Sequence, residues 1–154
     1  MNICFVCTGN ACRSPFAECV TKKLLADVGM TADMDVTSMG TLDWGKNPRD
    51  AAMADVARQM GYEMEGTTTA MTRDGLMKAD IIVVFEKHHR YDITKVLEYS
   101  HWDRIVMFDM AAFDKDDIVE DPHDQAAEVY LRVAKHIEEG CKRLVNEWRN
   151  YFSK

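Results

Sequence analysis

Residues 3–15 read ICFVCTGNACRSP, and this stretch decides the fold. The apolar residues 3–6 predict a buried strand, and Ser14-Pro15 predicts the start of a helix because proline suits the first helical position. Between them lies a short loop that contains Gly9, which permits a backbone turn that a side chain would obstruct. The stretch therefore predicts a strand, a tight loop and a helix in direct succession.

Short apolar runs alternate with segments of helical period along the rest of the chain. The predicted strands cover residues 3–6, 35–38, 81–85 and 105–108. The predicted helices cover residues 14–28, 47–60, 87–99 and 125–152. Residues 81–85 are continuous and mostly β-branched, as a central parallel strand covered on both faces should be. The alternation predicts one α/β domain over residues 1–154, with a parallel sheet whose ligand site lies beyond the carboxyl ends of the strands.

The composition narrows the function classes. The chain has 154 residues, of which 47% are hydrophobic and 29% are charged. Its formal net charge of −7 argues against a nucleic-acid binder, which needs a basic face to neutralise phosphates. No apolar run approaches the roughly 20 residues of a membrane span, and the N-terminus lacks the features of a secretory signal. We therefore expect a cytoplasmic protein in which any phosphate site is local.

Cysteines cluster near the N-terminus. Four of the five, Cys4, Cys7, Cys12 and Cys19, lie in the first nineteen residues. A disulfide framework would distribute cysteines along the chain, so the clustering predicts reduced thiols in a cytosolic compartment. Cys4 in the first strand and Cys141 in the last helix are expected to be buried core residues.

The loop from Cys7 to Arg13 has the sequence expected of a site for a phosphate dianion. Its main-chain N–H groups can point inward as a nest, and the N-terminus of the following helix adds a partial positive charge. Arg13 can donate to two phosphate oxygens at once. Such an electropositive pocket favours the thiolate of Cys7, and Ser14 can donate a hydrogen bond to the sulfur. The pattern predicts a nucleophilic cysteine beneath a bound phosphoryl group.

On these residues the sequence resembles the low-molecular-weight protein tyrosine phosphatase family. The matching positions are Cys7, Gly9, Asn10, Cys12, Arg13, Ser14 and Pro15, followed by Glu18, Ser38, Gly40, Trp44 and Asp121-Pro122. The resemblance implies a three-layer α/β sandwich with a four-stranded parallel sheet in the order 2-1-3-4 and helices on both faces. It also implies a monomer that hydrolyses phosphotyrosine in proteins through a phosphocysteine intermediate.

The resemblance further implies which residues form the site. The implied catalytic residues are Cys7, Arg13 and Asp121. The implied phosphate-binding residues are Thr8, Gly9, Asn10, Ala11, Cys12, Arg13 and Ser14. The expected partners are a phosphorylated protein substrate and inorganic phosphate or another oxyanion in the site. No cofactor and no metal are expected.

Asp121 is the general acid that the resemblance implies. Ester cleavage needs a proton for the leaving oxygen, and a positioned carboxylic acid contributes roughly 10²–10⁴-fold. Pro122 restricts Asp121 to extended conformations, which fixes its approach. Spacing alone gives only modest support for Asp121 as the general acid. It lies in an acidic run between residues 109 and 124, and such runs are usually solvated loops.

Three positions depart from the family pattern. Ala11 stands where tyrosine-selective members carry a branched apolar residue and arginine-phosphatase relatives carry threonine. His123 follows Asp-Pro, where an aromatic residue commonly flanks the substrate ring, so Trp44 is left as either a substrate wall or a packing residue. Residues 67–70 lack the histidine expected to support Asn10. Phosphotyrosine is the predicted substrate, and phosphoarginine is the alternative.

Cys12 and the histidines have competing interpretations. In relatives with both cysteines, Cys12 forms a reversible disulfide with Cys7 on oxidation; the alternative is that Cys12 only packs. The five histidines show no metal-ligand spacing with one another, and His88-His89 is predicted to be a solvated helix turn.

Three other function classes are compatible with a cysteine after the first strand. A thiol redox enzyme of the arsenate-reductase type needs further cysteines as an electron relay, yet the sequence has none between Cys19 and Cys141. A phosphocysteine carrier has no use for Arg13 and Asp121, which both serve turnover. A non-catalytic phosphoprotein-binding or iron–sulfur protein is the third class, and an iron–sulfur site lacks a fourth ligand at suitable spacing.

Overall fold

A computed structural model describes residues 1–153 and contains a four-stranded parallel sheet. Its strands are β1 (Asn2–Cys7), β2 (Asp35–Gly40), β3 (Ile81–Val84) and β4 (Ile105–Met107). The strands lie in the order β2-β1-β3-β4, and every pairing is parallel. The predicted strand order 2-1-3-4 is confirmed.

Helices cover both faces of the sheet. They are α1 (Arg13–Asp27), α2 (Ala51–Gln59), α3 (Arg73–Met77), α4 (Lys87–Thr94), α5 (Phe108–Phe113) and α6 (Ala127–Phe152). Successive side chains of β1 point to opposite faces, so Phe5 packs with α1, α2, α5 and α6, whereas Val6 packs with α3 and α4. The two resulting cores make the molecule a three-layer sandwich, as predicted.

Two predicted helices have different bounds in the structure. The helix predicted to open at Asn47-Pro48 begins at Ala51, because Asp50 caps α2 by accepting a hydrogen bond from the Met53 N–H, 3.0 Å away. Pro48 instead forms an antiparallel bridge with Thr67. The helix predicted over residues 87–99 ends at Thr94, and a 3₁₀ helix follows at Tyr99–Arg104.

Smaller differences concern the strand ends. The strand predicted over residues 105–108 ends at Met107, and Phe108 begins α5. The helices α3 and α5 have five and six residues, too short to give a helical period in the sequence. Among residues 1–153, no helix combines the length and apolar character that crossing a bilayer requires.

The carboxyl ends of β1 and β2 meet at one edge of the sheet. The register pairs Cys7 with Gly40, and the Thr41 N–H donates to the Cys7 carbonyl oxygen over 2.9 Å. Gly40 needs to be a glycine here, since a Cβ would lie 2.8 Å from the Thr8 carbonyl oxygen and 2.9 Å from the Asn10 nitrogen. The loop that follows Cys7 is therefore packed directly against the end of β2.

Candidate active site

Cys7 is the last residue of β1, and its sulfur lies beside the N-terminus of α1. Its Sγ is 3.0 Å from the Ser14 Oγ, and the Ser14 N–H donates to the same sulfur over 3.4 Å. Only 3% of Cys7 is exposed, so few waters compete for the sulfur. A helix N-terminus carries a partial positive charge, so an anion bound beside the sulfur is stabilised.

Arg13 closes the loop with one edge of its guanidinium anchored to protein. Nη1 donates to the Glu86 Oε2 over 2.8 Å and to the Val119 carbonyl oxygen over 2.7 Å. Nη2 lies 3.7 Å from the Asp121 Oδ2, and the buried Nε has no hydrogen-bond partner among the described residues. Because a buried N–H donor is costly to leave unpaired, the Nε edge suits an oxyanion.

Glu86 holds Arg13 as an ionised carboxylate. Burial disfavours its charged form, but the hydrogen bond and charge of Arg13 outweigh burial and lower the pKa of Glu86, with His88 adding to the effect. Glu86 is the N-cap of α4, and only Phe85 separates it from the end of β3. Sequence analysis did not find it, because 73 residues separate it from Arg13 along the chain.

Asn10 is fully buried at the centre of the loop and has a left-handed backbone, with φ of 55°. Its Nδ2 donates to the Ser14 Oγ over 2.9 Å and to the Ser38 Oγ over 2.8 Å. Its Oδ1 accepts from the Thr69 N–H and from Arg49 Nη1. The side chain expected to lack a histidine partner is thus fully hydrogen-bonded, and arginine supplies one of the donors.

A small cleft of about 20 Å³ brings most of the predicted site residues together. Its lining consists of Cys7, Thr8, Gly9, Ala11, Cys12, Arg13, Trp44, Asp121 and His123. Asn10 and Ser14 are outside this lining, and both are buried behind it. Trp44 is 48% exposed and covers Gly9 so closely that a Cβ there would lie 2.1 Å from its ring. Trp44 therefore packs on the loop and also borders the cleft.

Asp121 lies at the mouth of the cleft with its side chain 46% exposed. The His123 N–H donates to its Oδ1 over 3.1 Å, while Oδ2 faces Arg13. The Gln125 amide also donates to the Asp121 carbonyl oxygen over 2.6 Å. One carboxylate oxygen is held by the main chain, and the other is directed toward the cleft.

His123 is held at the rim by Asp50. Its Nδ1 lies 3.1 Å from the Asp50 Oδ2, which also accepts from the Tyr130 hydroxyl over 3.0 Å. The hydrogen bond to Asp50 raises the pKa of His123, partly opposed by burial and assisted by the charges of Asp124 and Asp121. The loop that bears Asp121 is therefore tied to the N-terminus of α2.

The structure tests the predicted burial of the cysteines. Cys4 and Cys141 are fully buried, as predicted, and all five cysteines are free thiols. Burial, followed by the charges of Asp50, Cys7 and Asp121, raises the pKa of Cys12 well above its usual range. Cys12 is therefore a neutral thiol at neutral pH, within the same cleft as Cys7.

The prediction that His88-His89 forms a solvated turn is wrong for His89, which is fully buried. Its Nδ1 accepts from the Glu86 N–H over 3.1 Å, so Nε2 carries the proton and donates to the Thr8 hydroxyl over 2.9 Å. Burial, then the charge of Arg13, lowers its pKa to about 3. The contact of His89 with the Glu86 N–H has the three-residue spacing of a capping box, but Glu-x-x-His is not the usual sequence of that motif, so the sequence carried little signal for it.

Glu86, His88 and His89 place possible metal-ligand atoms within 4.8 Å of one another. The protonated Nε2 of His89 has no lone pair for a cation, and Arg13 donates to the same oxygen of Glu86 that His88 contacts. This cluster is therefore a hydrogen-bond network that supports the loop.

Comparisons with known proteins agree with this geometry. A family model described as low molecular weight phosphotyrosine protein phosphatase matches residues 2–152. The low molecular weight protein-tyrosine-phosphatase Etp of Escherichia coli K12 is 28% identical over 154 residues, covering 99% of this chain and 95% of that protein. A protein of the same description from Streptomyces coelicolor is 34% identical over 92 residues, and this match spans 56% of the chain and about half (54%) of the relative.

The structure is also similar to solved structures. A protein tyrosine phosphatase from Entamoeba histolytica, crystallised with Hepes in the active site, superposes with a TM-score of 0.89 at 25% identity. The superposition covers 97% of each chain, so the likeness extends over the whole sandwich.

Proposed function

The chain belongs to the low molecular weight phosphotyrosine protein phosphatase family, and from this premise we propose that it hydrolyses phosphotyrosine in proteins through a phosphocysteine at Cys7. One observation carries the proposal. The Cys7 sulfur lies at the N-terminus of α1, in a cleft lined by Arg13, whose guanidinium Nε has no hydrogen-bond partner among the described residues. This combination holds a phosphoryl group against a nucleophile.

In the first step the Cys7 thiolate attacks phosphorus. The S–P bond forms as the P–O bond to the tyrosine oxygen breaks, and Asp121 gives its proton to that oxygen. Arg13 and the main-chain N–H groups of the loop stabilise the charge on the equatorial oxygens. Only one carboxylate oxygen of Asp121 is occupied by a main-chain N–H, which leaves Oδ2 to carry the proton.

In the second step water attacks the phosphocysteine. Asp121, now ionised, takes a proton from the water, the O–P bond forms and the S–P bond breaks. The Ser14 hydroxyl, 3.0 Å from the sulfur, donates a hydrogen bond to the departing thiolate. Inorganic phosphate leaves, and the free enzyme is restored with Asp121 protonated.

The substrate proposal rests on the cleft rim. Trp44 and His123 both border the cleft. In this proposal they flank the phenyl ring of the substrate. The relatives reported above are named as tyrosine phosphatases. Phosphotyrosine peptides are thus expected to be turned over faster than phosphoarginine peptides, and the reverse order contradicts this substrate assignment.

We also propose that the protein acts as a monomer in the cytoplasm, where its five free thiols stay reduced. Cys12 shares the cleft with Cys7 and is the proposed resolving thiol. A peroxide oxidises Cys7 to the sulfenic acid, and the Cys12 thiol then displaces water to form a disulfide.

Hydrolysis of p-nitrophenyl phosphate without added metal tests the function, with vanadate as inhibitor. Cys7→Ser should abolish turnover. Asp121→Asn should slow esters with poor leaving groups roughly 10²–10⁴-fold and good ones far less, because only the poor ones need the proton. Asp116→Asn, an exposed residue of the same acidic run, is the matched control. Equal rates in Asp121→Asn and wild type for every leaving group would remove Asp121 from the mechanism.

A further inference from the structure

Arg49 contacts the phosphate loop from outside the cleft. It lies just before α2 and is half-buried. Its Nη1 donates to the Asn10 carbonyl oxygen over 2.6 Å and to the Asn10 Oδ1 over 2.8 Å. Its Nε donates to the Glu65 carbonyl oxygen over 3.1 Å, which fixes the guanidinium from the other side. Arg49 is not among the residues that line the cleft, and it reaches the loop from behind.

The backbone of Asn10 is stabilised by these contacts. A left-handed φ of 55° is uncommon for residues with a side chain, although asparagine adopts it more readily than most. Because Arg49 binds both oxygens of Asn10 with a single nitrogen, it fixes the side chain relative to the main chain. Nearby, the Asp50 N–H donates to the Ala11 carbonyl oxygen over 2.9 Å, so two consecutive residues hold the middle of the loop.

A chain of hydrogen bonds links Arg49 to the nucleophile. With its Oδ1 bound by Arg49, Asn10 directs Nδ2 to the Ser14 Oγ over 2.9 Å. That oxygen, which accepts from Asn10, uses its own hydrogen for the Cys7 sulfur, 3.0 Å away. Reversing the Asn10 amide would place its NH₂ group against Arg49 and lose the donor to Ser14.

We propose that Arg49 is a positioning residue that fixes the oxyanion-binding shape of the phosphate loop through Asn10. The inference rests on the proposed function, because that function assigns oxyanion binding to the loop. Its positive charge also adds to the potential around the Cys7 sulfur without occupying the cleft.

The test compares Arg49→Met, Arg49→Lys and wild type by titrating inorganic phosphate in a calorimeter. Loss of a charge-assisted contact predicts phosphate binding about ten-fold to a hundred-fold weaker in Arg49→Met. Arg49→Lys keeps the charge and a nitrogen donor, so it should recover part of the affinity. The kcat/KM of Arg49→Met should fall by the same factor for good and poor leaving groups, unlike that of Asp121→Asn.

Arg58→Met is the matched control, because Arg58 is an exposed arginine on α2 that pairs with Asp55. It should bind phosphate within about two-fold of wild type. Urea unfolding verifies that each variant is folded at the assay temperature; if Arg49→Met is not, Arg49→Gln replaces it. A folded variant without Arg49 that binds phosphate like wild type overturns the proposal. Wild-type protein that binds phosphate but does not hydrolyse esters contradicts the proposed function alone.

Discussion

Ser14 has one hydrogen to donate and more than one acceptor within reach. Its Oγ accepts from Asn10 and lies 3.0 Å from the Cys7 sulfur and 3.3 Å from the Met39 carbonyl oxygen. The charged sulfur is the stronger acceptor, because hydrogen bonds to ionised groups are roughly twice as strong as neutral ones. Ser14 therefore favours the thiolate over the phosphocysteine, in which the sulfur is uncharged.

Ser14→Ala is expected to slow breakdown of the phosphocysteine more than its formation. Loss of one hydrogen bond to a charged group predicts a kcat about ten-fold lower or more. Rapid mixing with p-nitrophenyl phosphate should then show a burst of p-nitrophenol before the slower steady state. Ser100→Ala, in the distant 3₁₀ helix, serves as the control. An unchanged kcat with no larger burst would contradict the role of Ser14.

Contiguity explains which parts of the site the sequence could predict. Residues 7–14 follow one another, so their strand, loop and helix context is visible in the sequence. Arg49, Glu86 and His89 reach the loop from 39 to 81 residues away, and no local pattern joins them to it. His88 is exposed and His89 is buried. His89 was misassigned because the sequence does not show which of two adjacent histidines faces inward.

The end of β2 shapes the phosphate loop as much as the loop's own sequence does. Gly40 is paired with Cys7, and it has no room for a Cβ because main-chain atoms of Thr8 and Asn10 lie within 3 Å of that position. Main-chain atoms cannot rotate away as a flexible side chain can. Any side chain at residue 40 therefore displaces the loop.

Gly40→Ala is expected to reduce kcat/KM by about ten-fold to a hundred-fold, since a displacement near 1 Å can cost that much in a positioned site. Thr37→Ala, an exposed position on the same strand, should have little effect on activity. Steady-state kinetics and urea unfolding separate a displaced loop from an unfolded protein. Wild-type kcat/KM in Gly40→Ala would show that the loop tolerates the displacement.

Helix bounds were predictable only where one signal dominated. The 26-residue helix α6 has a long apolar stripe, and its prediction was within two residues at the start. At α2 the prediction relied on Pro48 as the start signal, but the helix begins after Asp50, whose side chain accepts a hydrogen bond from the Met53 N–H. Pro48 instead pairs with Thr67 in an isolated antiparallel bridge.

The whole molecule carries a net charge of −7 yet gathers cations at one edge of its sheet. The fold does this by bringing Arg13, Arg49 and the N-terminus of α1 to the carboxyl ends of β1 and β2. The sheet order was predicted through the family resemblance and not from the strand and helix pattern alone. The contacts behind the loop depend on how the layers pack, and the sequence does not display them.

Stability is expected to depend on pH through the buried His89. Its folded pKa of about 3 lies below the usual value near 6.5, so between these values the unfolded chain binds the extra proton. The contribution of neutral His89 to the free energy of unfolding is therefore fully present above about pH 6.5 and is lost as the pH decreases toward 3. Between pH 7 and pH 5 this group contributes a loss of about 2 kcal/mol in the free energy of unfolding.

Urea unfolding at the two pH values tests this expectation in wild type and His89→Asn. The loss on going from pH 7 to pH 5 should be smaller in the variant by about 2 kcal/mol. His101→Asn, in the 3₁₀ helix, should retain the wild-type pH dependence. Equal pH dependence in His89→Asn and wild type would mean that His89 is not held neutral by the fold.

The phosphocysteine is the species on which the whole mechanism depends. Rapid denaturation during turnover of a phosphotyrosine peptide, followed by peptide mapping in a mass spectrometer, detects it directly. We predict a phosphoryl group on Cys7 in wild type, and neither phosphoenzyme nor turnover in Cys7→Ala. A phosphoryl group on another residue, or turnover that persists in Cys7→Ala, would contradict the mechanism.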